Sequence, residues 1–348
     1  MFTVGISLYL GTGIEKNREI IDKAKRAKVK YAFTSLHLPE ERVEDYSKEV
    51  NALLELCTLA DIKLIIDIGP RTIEKLKLKS IQELKETPIT HIRPDYGFTS
   101  KEIAELSNTF NIVFNSSTIS EEELMELKGY GCDFSRFLAA DNFYPKPLTG
   151  LSIDTLVERN KRLKYMGIKT LAFVPGDLVK RGPLYEGLPT VEDHRYKDPL
   201  LSILELRSSA LCDIVLIGDV DITEELWNKL EKLNSGYVEL RADIRKEYSF
   251  VRDIIHHDRP DSSSYVIRSQ ESREYGTPGK LFKAETAMLR SKGSISIGNE
   301  NYLRYSGELE IARVDLPVEA RVNIIGKIDQ EDIKYLQYID KAMGFRII

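Results

Sequence analysis

Cysteine and long apolar runs are scarce in this sequence of 348 residues. The three cysteines, Cys57, Cys132 and Cys212, are odd in number and far apart, which argues against a disulfide framework and favours a reducing compartment. No apolar run approaches the roughly 18 residues that a membrane-spanning helix needs, and the first residues lack the signals of a secretory leader. We therefore expect a cytoplasmic protein with no membrane partner.

A concentrated positive charge is also lacking. The formal net charge is -5 and the two signs are intermixed along the chain, whereas nucleic acids and anionic membranes attract proteins that have a basic face. Small molecules are therefore the expected partners, and nucleic acid is not. The chain is long enough for two domains, each with a core. The oligomeric state stays open, and a homo-oligomer is compatible with the sequence.

Short apolar, β-branched runs alternate with segments of helical spacing over the first 220 residues. This alternation is typical of a parallel sheet built from βα units. Eight such units close a TIM (β/α)8 barrel. The predicted strands are Val4–Tyr9, Tyr31–Leu36, Lys63–Asp67, Ile92–Asp95, Asn111–Asn115, Arg136–Ala140, Thr170–Val174 and Ile214–Asp219.

Local signals predict where several of the helices begin. Thr99 with Glu102, and Ser120 with Glu123, have the spacing of capping boxes. Asp198 stands directly before a proline, which is the order of an N-cap and the first helical residue. These signals are independent of hydrophobicity and support the prediction of alternating strands and helices.

Beyond residue 235 the helical period fades, and short strands broken by Gly, Asn and Pro follow. We predict an α/β protein in which a TIM-barrel catalytic domain at 1–235 precedes a small β-rich domain at 236–348. The predicted strands of the second domain are Tyr265–Ser269, Ser294–Ile297, Leu309–Val314 and Val322–Ile325.

Carboxylates and amides follow several of the predicted barrel strands, where TIM-barrel active sites lie. Asp67, Asp95 and Asp219 end strands three, four and eight, while Asn115 ends strand five and Asn142 follows strand six. Glycoside hydrolysis uses one carboxylic acid as proton donor and a second carboxylate at the sugar carbon. We predict Asp67 and Asp95 as this catalytic pair. A strand-end carboxylate can equally cap the next helix, and Asp219 is the one for which we most expect a structural role.

Two other chemistries are disfavoured. No predicted strand ends in lysine, which argues against a Schiff-base aldolase, and no strand carries His-x-His, which argues against a metal-dependent amidohydrolase. We expect no metal site and no cofactor. His37, just past strand two, is a candidate for a hydrogen bond to substrate.

The loop after strand seven spans 23 residues, from 175 to 197, which is long for a structureless loop and suggests a functional lid. Glu186 is an alternative acid in this loop. Arg181, His194 and Arg195 are candidate polar or cationic contacts for a phosphate, because an arginine fork can hold two phosphate oxygens. The alternative is that these charges are solvated loop residues.

Two further loops supply candidate contacts. After strand six, Phe143 and Tyr144 follow Asn142 and can either stack on a sugar or anchor the loop to the barrel rim. In the second domain, Ser272 and Arg273 belong to a polar run after an apolar strand, from which we expect them to reach substrate. Local ion pairs within that run are the alternative for Arg273.

Six segments resemble those of the MupG-like 6-phospho-N-acetylmuramidases, glycoside hydrolase family 170, formerly described as outer surface proteins. The resemblance covers essentially the whole chain and implies a TIM barrel followed by a cyclophilin-like β-domain. The first segment ends at Glu40, which we include among the candidate substrate contacts. The segments are Phe33–Glu40, Arg93–Phe98, Asn142–Gly150, Arg181–Thr190, Arg268–Arg273 and Ile297–Gly307.

The resemblance implies hydrolysis of a phosphorylated amino-sugar disaccharide, 6-phospho-N-acetylmuramic acid linked to N-acetylglucosamine, in peptidoglycan recycling. The family supplies no catalytic pair here, so Asp67 and Asp95 depend on the barrel argument. Two alternatives remain: a glycosidase for another phosphorylated disaccharide, and a non-catalytic module that binds phosphorylated sugars. Carboxylates at three strand ends disfavour pure phosphate binding, because they repel an anion.

Overall fold

The computed structural model describes residues 2–36, 45–69, 72–94, 97–272 and 282–348, with the backbone alone at positions 81 and 82. The chain divides into two compact units, Met1–Asn234 and Ser235–Ile348. Each unit is described by itself below. Within the described ranges, no helix has the length and apolar character needed to cross a membrane.

The first unit is a closed barrel of eight parallel strands, arranged in chain order, with the first strand paired to the eighth. This confirms the predicted TIM barrel, and no strand end differs from its predicted position by more than two residues. The strands are β1 (Thr3–Ser7), β2 (Tyr31–Ser35), β3 (Lys63–Ile68), β4 (His91–Pro94), β5 (Asn111–Asn115), β6 (Phe137–Ala140), β7 (Lys169–Val174) and β8 (Ile214–Ile217).

Both predicted capping boxes form: Thr99 and Ser120 each accept a hydrogen bond from the backbone of a glutamate three residues on. Asp198 accepts the N–H of Leu201 at 3.0 Å, as an N-cap does. The helices are α1 (Ile14–Arg26), α2 (Tyr46–Leu59), α3 (Thr72–Lys75), α4 (Ser100–Ser107), α5 (Glu121–Gly129), α6 (Ile153–Tyr165), α7 (Pro199–Ser208) and α8 (Glu224–Asn234).

Alternate residues of the strands fill the barrel interior. Phe33, Ile65 and Phe173 belong to one buried cluster of apolar side chains. At Gly5 on β1, a Cβ atom would lie 2.2 Å from the carbonyl oxygen of Tyr31 and 2.5 Å from the side chain of a core leucine. Only glycine therefore allows β1 to close the barrel at this level, since any side chain would displace backbone.

The described residues of the second unit form the strands β9 (Tyr237–Leu240), β10 (Ala242–Ile244), β11 (Ile255–His257), β12 (Val266–Arg268), β13 (Ser294–Gly298), β14 (Leu309–Ala312), β15 (Val322–Ile328) and β16 (Gly344–Ile347). These strands pair into two sheets. One has five strands in the order β10-β15-β13-β14-β12, and the other has three in the order β11-β16-β9.

The four strands predicted in the second unit all exist, although their ends shift. The whole three-stranded sheet and strand β10 were not predicted. These four strands have only three or four residues each, which is too short for the alternation of side chains to be recognised in a sequence. Their pairing partners lie far along the chain, as for β16 beside β9.

Candidate active site

A buried ion pair lies at the C-terminal end of β3 and β4. Asp67 and Arg93 are paired positions in the parallel ladder. Asp67 stands two residues after Ile65, a core residue inside the barrel, so the alternation of the strand also turns Asp67 inwards. Arg93 Nη1 donates to Asp67 Oδ1 at 2.7 Å, and both side chains are more than nine-tenths buried.

The same guanidinium reaches the loop after β6. Arg93 Nη2 donates to Asn142 Oδ1 at 2.7 Å, so one arginine joins a carboxylate of β3 to an amide beyond β6 at the barrel mouth. A guanidinium in contact with a buried carboxylate stabilises its ionised form. The Asp67 carboxylate thus has a cationic partner at the barrel mouth, and its catalytic role stays a prediction.

Arg93 was not predicted as a site residue. The sequence does carry a signal for it, because Arg93 is a charged residue inside a short strand whose other residues are buried. A charge in such a strand needs a partner of opposite sign. The nearest candidate at the same strand level on β3 is Asp67.

Arg181 lies at the barrel mouth, where its guanidinium is 4.8 Å from the ring centre of Tyr9. This tyrosine follows β1, and Arg181 is only 7% exposed. The aromatic ring holds the guanidinium in a fixed orientation, and a contact for an anionic ligand requires such an orientation. That Arg181 binds a phosphate stays a prediction.

Asp219 has the structural role expected of it. Its Oδ2 accepts the N–H of Gly176 and its Oδ1 accepts the N–H of Arg181, both at 2.9 Å. Burial raises the pKa of the Asp219 carboxyl, and these N–H groups oppose that shift. Both oxygens are therefore engaged with the backbone of the loop after β7.

The loop at 175–197 is fastened to its surroundings by Arg195, which is 2% exposed. Its guanidinium donates to both carboxylate oxygens of Glu192 at 2.7 Å. It also donates to the carbonyl groups of Gly187 at 3.0 Å and Tyr144 at 2.9 Å. Arg195 thus ties two loops together from inside, and the function of the loop as a lid stays a prediction.

Two other predicted residues of this loop differ in exposure. His194 is fully buried, with its Nε2 atom 3.0 Å from Glu205 Oε2, so it lies beneath the loop surface. Glu186 is half-buried and accepts the hydroxyl of Tyr196 at 2.7 Å. This hydrogen bond raises the pKa of Tyr196. Glu186 is the better placed of the two for contact with a ligand.

The two aromatic residues after β6, Phe143 and Tyr144, have different environments. The Phe143 ring makes edge-to-face contacts with Phe33 and Phe173, at centroid distances of 6.4 Å and 5.2 Å, so it anchors the loop to the barrel core. Tyr144 is half-buried, and its backbone N–H donates to the carbonyl of Pro189 at 2.9 Å. Tyr144 remains the aromatic candidate for a sugar contact.

A carboxylate also follows β6, at Asp141, but it belongs to the helix layer. The neighbouring core residue Ala140 faces the barrel interior, so alternation turns Asp141 outwards. Its carboxylate is hydrogen-bonded and ion-paired to Arg159 of α6. Burial raises the pKa of Asp141 and Arg159 opposes that shift. This pair fixes α6 to the barrel.

Two predicted contacts bond within their own loops. Asn115 Oδ1 accepts the N–H of Ser117 at 3.1 Å, which forms a local turn after β5. Ser272 is fully buried, and its hydroxyl donates to the carbonyl of Ser269 at 2.7 Å. The prediction that Ser272 projects from its loop is therefore wrong. Its hydroxyl closes a turn, and the polar run gave no sign of this burial.

Four of the predicted site residues, including one of the two predicted catalytic aspartates, lie outside the described residues. They are His37, Glu40, Asp95 and Arg273.

A carboxylate, a guanidinium and an amide thus meet at the C-terminal rim of a TIM barrel, which is where the active sites of TIM-barrel enzymes lie. Comparison with known families makes this specific. The model of the 6-phospho-N-acetylmuramidase N-terminal domain matches residues 4–232, and that of the C-terminal domain matches residues 237–348. The chain therefore belongs to the 6-phospho-N-acetylmuramidase family and is a glycosidase, as the sequence resemblance implied.

Two solved structures are similar over essentially the whole chain. A conserved Enterococcus faecalis protein with an unknown function is 31% identical, with a TM-score of 0.75, over 99% of this chain and 96% of that one. An uncharacterized B. cereus protein is 27% identical, with a TM-score of 0.76, over 100% of both chains. No curated protein matches the chain in sequence.

Proposed function

We propose that this protein hydrolyses the disaccharide of 6-phospho-N-acetylmuramic acid and N-acetylglucosamine, releasing 6-phospho-N-acetylmuramic acid and N-acetylglucosamine. The family match along the chain supports this substrate. The observation that carries the chemistry is the buried Asp67 carboxylate, held by Arg93 at the barrel mouth. We further propose that the reaction takes place in the cytoplasm during peptidoglycan recycling.

The roles we propose follow the two-carboxylate scheme of glycosidases. A carboxylic acid, Asp95 or Glu186, donates its proton to the glycosidic oxygen as the bond from the sugar carbon to that oxygen breaks. The Asp67 carboxylate supports the electron-poor sugar carbon, either by attacking it directly or by accepting a proton from the attacking water. Water supplies the hydroxyl group of the new reducing end. We propose that the reaction needs neither a metal ion nor a nucleotide.

The proposed substrate contacts come from several loops. We assign the 6-phosphate to Arg181, whose guanidinium is fixed over Tyr9. Asn142 and Tyr144 lie on the loop that Arg93 and Arg195 hold in place. Asn115, His37, Glu40 and Arg273 remain proposed contacts, whereas His194 and Arg195 act by shaping the loop.

The proposal is tested with purified protein and a panel of disaccharides, each with and without a 6-phosphate. We expect chromatography to show release of N-acetylglucosamine from the phosphorylated muramic acid disaccharide and much slower cleavage of its unphosphorylated form. Preferred cleavage of another phosphorylated disaccharide would support the alternative glycosidase. Sugar binding without any cleavage would support a binding module.

A further inference from the structure

One face of the five-stranded sheet in the second unit bears charged side chains around a cavity. Leu309 and Ile311 of β14 are buried, so alternation turns Glu308 and Glu310 to the opposite face of the strand. The cavity has a volume of about 290 Å³, and Glu308, Glu310 and Arg268 are among its lining residues, all from the second unit. This volume is near the lower end of the range for small-molecule pockets, about 300 to 1,000 Å³.

The charged groups of this face form two ion pairs. Arg268 contacts Glu308 and Arg290 contacts Glu310, each at 2.6 Å, and these four side chains are at most 23% exposed. Burial raises the pKa of Glu310, while Arg290 opposes that shift. Removing such groups from water costs free energy that an apolar pair would not cost. Their presence around a cavity is therefore better explained by binding than by stability.

Two tyrosines supply an aromatic wall. Tyr302 and Tyr305 line the cavity, and their rings meet edge to face at 6.1 Å between centroids. The guanidinium of Arg321 lies over the Tyr302 ring, and that of Arg304 over the Tyr305 ring, each at 4.8 Å. One face of each ring is thus covered by a cation, which holds the ring in position.

The segment that carries these tyrosines is fixed at its base and strained at its tip. The fully buried Asn299 side chain donates to the carbonyl of Ala320 at 2.9 Å. At Gly298 a Cβ atom would lie 2.4 Å from the carbonyl oxygen of Tyr305, so the segment closes tightly on β13. Leu303, with φ 53° and ψ -118°, is a non-glycine residue in a rare conformation, a feature that clusters at ligand sites.

We propose that this cavity is a second binding site, for a single uncharged sugar ring of the N-acetylhexosamine kind. Arg268, Glu308 and Glu310 line the cavity and offer fixed donors and acceptors to hydroxyl and amide groups. Arg290 lies outside the lining, and its contact with Glu310 offsets the charge of that carboxylate. The tyrosine rings offer an apolar surface to the C–H face of a sugar. A free phosphate is disfavoured, because it would meet two carboxylates. The site is separate from the glycosidase reaction of the barrel.

The test is to titrate the full-length protein with N-acetylglucosamine and, separately, with inorganic phosphate. Isothermal titration calorimetry and saturation-transfer NMR measure the binding of each. We expect the sugar to bind and Tyr302→Ala to weaken its affinity by roughly tenfold, since the aromatic surface is lost. Tyr302→Phe keeps the ring and should retain most of the affinity. A crystal soaked with the sugar should show it against Tyr302.

Tyr265→Ala is the matched control, because Tyr265 is a 64% exposed tyrosine of the same unit that is not among the residues lining the cavity. It should bind the sugar as the wild type does, and the melting temperature of each variant reports its folding. Equal sugar affinity in the two alanine variants would overturn the second site, as would phosphate binding that Tyr302→Ala abolishes. Disaccharide cleavage is assayed separately, so either result leaves the glycosidase proposal standing.

Discussion

The Asp67 carboxylate lies against the Arg93 guanidinium, and asparagine at this position would keep the shape but remove the charge. We expect Asp67→Asn to lower the turnover number by about 10²-fold or more, because the sugar carbon loses its carboxylate. Steady-state kinetics on the phosphorylated disaccharide measures this. Asp61→Asn, a change at an exposed aspartate paired with Lys30, is the control and should leave turnover unchanged. Near-normal turnover of Asp67→Asn would remove this residue from the mechanism.

Arg181 allows the phosphate contact to be tested apart from catalysis. We expect Arg181→Ala to weaken binding of the phosphorylated disaccharide by about tenfold or more, and binding of the unphosphorylated form by much less, because a charge-assisted contact is lost. Inhibition constants for the two forms provide the comparison. Lys180→Ala, at the adjacent residue, is the control for a general loss of positive charge. Equal losses on both forms would assign Arg181 a structural role.

At the scale of single elements, the ion pair of Glu192 and Arg195 holds together the loops after β6 and β7. Glu192 also accepts the backbone N–H groups of Leu148 and Gly150, each at 2.8 Å. The hydrogen bond from Arg195, assisted by these N–H groups, lowers the pKa of Glu192 from 4.5 to about 2. A carboxyl with a lowered pKa stabilises the fold while it is ionised. This contribution is complete above the unfolded pKa and is lost as the pH falls from 4.5 towards 2.

We therefore expect Glu192→Gln to lower the free energy of unfolding by about 2 kcal/mol at neutral pH. The difference from wild type should shrink as the pH falls below about 4.5, because the Glu192 carboxyl of the unfolded chain then becomes protonated, whereas that of the folded protein stays ionised until the pH approaches about 2. Urea unfolding of both proteins between pH 7 and pH 3 measures this. Glu158→Gln, at an exposed position on α6, should show no such trend. A pH-independent difference would contradict the ionic origin of the effect.

The elements that the sequence predicts best are those whose signals are local. Capping boxes at Thr99 and Ser120, and apolar runs such as β7, need only neighbouring residues to be recognised. The contact of Arg93 with Asp67 depends instead on strand register, and that of Arg195 with Tyr144 depends on the packing of two loops. Such long-range contacts leave no periodic trace in a sequence, which is why the candidate site was predicted only in part.

At the scale of the whole molecule, the two units have separate cores, because each contains its own sheets and buried apolar residues. We expect differential scanning calorimetry to resolve two unfolding transitions. Ile311→Ala deletes a fully buried side chain of the second unit. The cavity should lower the free energy of unfolding of that unit by about 2 to 5 kcal/mol, and so lower the temperature of one of the two transitions. A single transition that moves as a whole would mean that the two units unfold cooperatively.

The hydrogen bonds of Asp219 should also slow the exchange of two amide hydrogens in the loop after β7. The N–H groups of Gly176 and Arg181 point at a buried carboxylate, so water reaches them only when the loop detaches from the end of β8. Although they lie outside any strand, these two amides should exchange with deuterium as slowly as those of the barrel strands. A loop of this length would then belong, on the time scale of hours, to the rigid part of the enzyme.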